Sequence, residues 1–153
     1  PYVFGPDGEE VNYKYTFGPT GTVYLDPSEE KTAYINQLIY LTKTLRGVIE
    51  NLQENSENQP IIIIQSDTGP STKFGETMNE MHKVDRMSIF NAYYFPNGKY
   101  DLLSDDVTPV NSFRIVFDSH FETNYGLVDD RVFYSTYEKP YELIEMNELL
   151  ILN

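Results

Sequence analysis

Four consecutive isoleucines, Ile61 to Ile64, run into Gln65-Ser66-Asp67-Thr68-Gly69-Pro70, and this stretch constrains the fold more than any other. β-Branched side chains without polar alternation must hide both faces of the strand they form, which suits the middle of an α/β sheet with helices above and below. In such sheets ligands sit beyond the carboxyl ends of the strands. Asp67 falls at that end and is the first candidate for chemistry.

Charge then narrows the partners. Lys and Arg number 11 against 24 Asp and Glu, for a formal charge of −13, which opposes binding to nucleic-acid phosphates and anionic lipid surfaces. No nucleic acid and no membrane contact by this segment are expected. Thirteen Tyr and nine Phe supply enough ring surface for a folded core, so the acidity is not that of a disordered tail. With no Cys, disulfides, thiolate-held zinc and a thiol nucleophile are excluded. No stretch approaches the roughly 20 apolar residues of a bilayer span.

The 153 residues suit one domain. Residues 1–25 are punctuated by Gly5-Pro6-Asp7-Gly8 and Gly18-Pro19-Thr20-Gly21, and read as an extended surface segment with at most one short hairpin. Residues 26–153 read as the α/β core. Asp26-Pro27-Ser28-Glu29 starts a helix, and Tyr34, Leu38, Leu41, Leu45, Val48 and Leu52 carry it to about residue 54. The chain after Pro70 is polar through about residue 82, as in Ser71-Thr72-Lys73-Phe74-Gly75, and reads as a loop. Ser88 to Phe95 reads as a strand stopped by Pro96-Asn97-Gly98. Thr108-Pro109 repeats the cap-then-proline start, and Val110, Phe113, Phe117 and Phe121 make a second helix. Arg131 to Tyr134 and Tyr141 to Glu145 read as short strands. The chain opens at Pro1-Tyr2 without an initiator Met and reads as a piece of something longer.

Several segments together resemble the sulfatase-like branch of the alkaline phosphatase superfamily. The first helix and then Ile61 to Pro70 look like the stretch where those proteins place a long helix, a buried strand and Ser-Asp-His-Gly. Arg86, Asn91-Ala92-Tyr93-Tyr94-Phe95-Pro96 and Thr108-Pro109-Val110-Asn111-Ser112-Phe113-Arg114 are similar to segments of one subset, membrane-anchored proteins with a sulfatase-like outer domain. The opening Pro1 to Gly8 is similar to the segment just after a His/Pro stretch in those proteins. The resemblance implies the C-terminal portion of a three-layer α/β/α domain in an extracytoplasmic part of a membrane-anchored parent. It also implies a divalent metal of unspecified identity and a phosphate or sulfate ester, small or polymeric, as the parent's substrate. By the same resemblance Asp67 takes the metal-ligand Asp position. Thr68 stands where the family has His, a departure that puts the metal set in doubt, since a hydroxyl suits calcium, magnesium or manganese better than zinc. The family's nucleophile lies N-terminal to the region present. The chain is therefore expected to be inactive alone and to associate with that N-terminal part.

Other readings stand beside these. Asp67 also reads as an ordinary turn carboxylate, and Thr68 as a hydroxyl bonding local backbone. A scaffold domain that kept the fold without catalysis is the second functional reading. Asp-Thr-Gly fits an aspartic-protease turn poorly, because a long helix feeding the motif strand is foreign to an all-β lobe. His82, placed in the polar loop, reaches toward Asp67 in one reading and faces solvent in the other. Arg86 is a candidate for binding an anionic substrate group, or else pairs with Asp85. Arg114 has the same choice with Asp118. His120 is expected to cap its helix, Asn91 and Asn111 to hold loops, and Asp105-Asp106 and Asp129-Asp130 to be solvated or to bind calcium weakly.

Overall fold

A computed structural model of the chain describes residues 2–17, 23–70, 80–136 and 138–151. The expected turn at Gly18 to Gly21 and the polar loop at Ser71 to Gly75 lie outside the described residues. Contacts gather the described residues into two compact units, one reaching to Gln59 and one beginning at Pro60.

In the first unit, β1 (Thr16–Phe17) pairs antiparallel with β2 (Val23–Tyr24), the short hairpin the Gly/Pro punctuation suggests. Helix α1 (Pro27–Asn55) comes next. It starts where the sequence predicts because the Asp26 carboxylate accepts from the Ser28 amide at 2.9 Å and Pro27 needs no amide partner there. The opening segment lies along α1. Tyr2 meets Tyr34 edge-on at 6.3 Å, Phe4 meets Tyr40 at 5.0 Å, and Lys43 donates to the Pro6 carbonyl and Asp7 carboxylate. Gly8 holds a positive φ of 87°, and a Cβ built there would lie 2.5 Å from the Tyr40 ring, so a side chain at this position is disfavoured both by backbone conformation and by space.

The second unit is built on an antiparallel ribbon, β3 (Ile62–Gln65) and β4 (Asn91–Tyr94), in the register Ile62↔Tyr94 to Gln65↔Asn91. Between them lies α2 (Glu80–Met87), where the sequence suggested a loop to about residue 82. The polar composition hid a helical signal: Met81, Val84 and Met87 recur every third residue, and Val84 is buried. Helix α3 (Pro109–His120) is capped by Thr108 as expected. Phe95, Ile115 and Val116 form the core, with Ile61, Ile63 and Tyr93 packed on it. The remaining elements are β5 (Phe133–Tyr134), its antiparallel partner β6 (Ile144–Glu145) and α4 (Asn147–Ile151), the last absent from the sequence reading.

The architecture is mixed helix and small antiparallel sheets. The isoleucine strand differs from expectation in one respect. Ile62, Ile63 and Ile64 are half-buried where a central strand would be buried on both faces, because among the described residues β3 has one strand partner. The α1 stripe is likewise incompletely covered, with Leu38, Leu41 and Val48 each about half exposed.

Candidate functional site

Asp67 sits just past β3, with its carboxylate exposed and one oxygen accepting the Thr68 amide at 2.9 Å. That bond is a local turn contact, and among the described residues the second carboxylate oxygen has no further partner. Thr68 is half-buried. Arg86, in the last turn of α2, is exposed, and among the described residues its guanidinium makes neither the expected pair with Asp85 nor any other ion pair. Asp67, Thr68 and Arg86 all line one cleft of about 700 Å³ in the second unit. The backbone of His82 belongs to α2 rather than to a loop, and its side chain lies outside the described residues.

Across the cleft the charges are tied down. Asp130 accepts from the Thr108 amide at 3.0 Å, from the Thr108 hydroxyl, and from Asn111 Nδ2 at 3.2 Å, so it is a structural carboxylate rather than a solvated one. Arg131 grips Glu145 through two bonds of 3.0 and 2.6 Å and lies over the Phe133 ring. Hydrogen bonding from Arg131 holds the Glu145 carboxyl below the usual carboxylate range, and the same bond raises Arg131. The lining residues Asp105 and Asp106 are exposed. Asn147 closes the far end by donating to the Asp130 carbonyl and accepting the Val132 amide at 2.8 Å. Sequence reading missed Asn147 and the role of Asp130, because each acts on partners that only folding brings near.

Asn91, which lines the cleft, belongs to a polar network. Gln65 Nε2 donates to Asn91 Oδ1 at 3.0 Å and to Ser112 Oγ at 2.9 Å, while Ser112, fully buried, shares a 2.6 Å bond with the Tyr93 hydroxyl. Asn91 also donates to the Val107 carbonyl at 3.1 Å, and so locks β4 to the entry of α3. Asn91 and Asn111 thus hold loops, as their amides suggest. His120 does not cap α3; its Nε2 meets Asn97 Oδ1 at 2.9 Å and its ring packs edge-on against Phe95. Arg114 donates to the carbonyls of Tyr125 and Gly126, whose amides bond Asp118, so the two charges share a loop instead of a direct bond.

Asp67 and Thr68 offer at most two carboxylate oxygens and one hydroxyl to a cation, too few for the four to eight ligands that divalent metals take. Among the described residues no group of three or more His, Asp or Glu could hold one. The residues described therefore do not by themselves make a metal site. Among them also, no helix is long and apolar enough to cross a membrane. Comparison with protein-family models, curated proteins and solved structures finds no match.

Proposed function

We propose that this chain is the C-terminal portion of a sulfatase-like domain. Its intact form, a three-layer α/β/α sheet in the outer part of a membrane-anchored protein, hydrolyses or transfers a phosphate or sulfate ester with a divalent metal. The observation that carries the reading is the shared cleft: a carboxylate exposed past an isoleucine strand and a guanidinium without an ion pair among the described residues both line it. A guanidinium so placed suits a tetrahedral anionic ester, because its planar donors match two oxygens at once. In this reading Arg86, with His82 from the same helix, orients the ester. Asp67 and the neighbouring Thr68 contribute oxygens to a metal set completed by residues outside this chain. The half-covered isoleucine strand supports the reading too, since its composition calls for more cover than one partner strand supplies.

The isolated chain lacks a nucleophile and is inactive by itself. Incubation with aryl sulfate and aryl phosphate esters and manganese, calcium, magnesium or zinc is expected to give no turnover, and metal-dependent turnover would overturn this. In a chain extended by its upstream part, Asp67→Ala and Arg86→Ala are each expected to lower turnover at least tenfold. Unchanged rates in both would remove these two residues from the site, whereas no turnover at all in the extended chain would leave the scaffold reading in its place.

A further inference from the structure

We infer that Gly69 is a positioning residue, which seats the Asp67 turn on the last turn of α2 and so ties the backbone that carries the acid to the backbone that carries Arg86. Its amide donates to the carbonyl of Arg86 at 2.8 Å. That carbonyl belongs to the end of a helix, where no further turn supplies an amide. The turn after β3 thus caps α2 from seventeen residues upstream.

The glycine is required for space and not for backbone freedom. Gly69 is not among the residues with positive φ. A Cβ built on it would lie 1.9 Å from the Asp85 carbonyl oxygen and 2.5 Å from that of Ser88, both backbone atoms that no rotamer change moves aside. Those atoms are themselves held in place. The Ser88 amide donates to the Val84 carbonyl at 2.9 Å and the Ser88 hydroxyl donates to the same carbonyl at 2.9 Å, so the helix end cannot yield without unwinding.

A second contact ties the same turn from its other side. The Ser66 amide donates to the Phe90 carbonyl at 2.9 Å, and the Phe90 amide donates to the Ser66 hydroxyl at 2.9 Å, in line with the β3–β4 register. Asp67 and Thr68 lie between these two clamps. Any displacement of the α2 end therefore carries the backbone of Asp67 with that of Arg86. The use of this pair rests on the function proposed above, whereas its geometry does not, and the experiment reads geometry alone.

Amide exchange on the unaltered chain is the first arm. The Gly69 amide is expected to exchange at least a hundredfold more slowly than in an unstructured peptide, and exchange at the peptide rate overturns the inference. The chain has no Cys, so nitroxide labels can be placed through Asp67→Cys and Arg86→Cys without background. One narrow label-to-label distance is expected, broadened by Gly69→Ala while the far-ultraviolet dichroism is retained; an identical distribution in that variant overturns it. Should Gly69→Ala fail to fold, amide exchange at Gly69 in the unaltered chain decides alone, with the two outcomes just given. Absence of ester turnover in every sample of the extended chain, with the distances as expected, would count against the proposed function and leave the positioning role standing.

Discussion

The side-chain amide of Asn111 pairs with the backbone of Val128 at both ends, donating to its carbonyl at 2.9 Å and accepting its amide at 3.0 Å. A loop residue is held to α3 as if by a strand partner. Asn111 is 3% exposed and both of its bonds to Val128 are part-buried, so its loss leaves two backbone groups unpaired. Asn111→Ala is expected to destabilise the second unit by about 1–2 kcal/mol, read as a lower urea midpoint.

Gly47 lies inside α1, and a Cβ there would meet nothing within 4 Å. Glycine in a helix interior is unfavourable by roughly 1 kcal/mol relative to alanine. Gly47→Ala is expected to raise stability by about 0.5–1 kcal/mol. A lower melting temperature in calorimetry would show that the helix needs the glycine for some contact of its own.

Ile115 is fully buried in a cluster with Phe95 and Val116, against which Ile63 and Tyr93 pack. Truncation there removes contacts on every side and leaves a hole that the helix and ribbon can only partly close. Ile115→Ala is expected to cost roughly 2–5 kcal/mol. Chemical denaturation monitored by tyrosine fluorescence measures it.

Asp118 accepts the Thr123 hydroxyl at 2.7 Å and the amides of Tyr125 and Gly126 at 2.8 and 2.9 Å. Chiefly through Thr123, then Tyr125, these bonds hold its carboxyl below the usual range. A depressed folded value means that the stabilisation is present above about pH 4, and is lost as pH falls through the lowered value. Asp118→Asn is expected to flatten the acid limb of the stability curve, seen in melting temperatures between about pH 2 and pH 5. A limb as steep as that of the parent chain would show that this carboxylate is not linked to folding.

Tyr2 behaves in the opposite sense. Burial, and then the Glu30 carboxylate, push its phenol up to about 12. A raised folded value means that its contribution is complete below about pH 10 and is lost as pH rises from there toward about 12. Tyr2→Phe is expected to remove one late tyrosinate step from an ultraviolet titration. An unchanged late step would assign it elsewhere among the tyrosines.

Local chemistry made much of the second unit readable. Thr108-Pro109 announces α3 because a hydroxyl and a proline meet the needs of a helix start without any distant partner. Asp26-Pro27 does the same for α1 in the first unit. The isoleucine run announces β3, and Pro96-Asn97-Gly98 stops β4 with Gly98 at a positive φ of 68°. α2 escaped notice because its eight residues carry five charged or polar side chains, and its helical period is only three apolar positions long.

The candidate site divides the same way. Asp67 was visible, since a lone acid after an uninterrupted β-branched run stands out by composition alone. That it faces a cleft shared with Arg86 was not visible, because nineteen positions separate them and the link is a backbone bond from Gly69 to the end of α2. The chain's own residues thus determined where helices and strands start and stop, since capping, turns and periodicity act over a few positions. Only the tertiary structure decided that β3 pairs antiparallel with β4, that Asp130 serves Thr108, and that Arg86 lines the cleft beside Asp67. Each of these depends on groups far apart in sequence, and the free energy of their meeting is written in no local pattern.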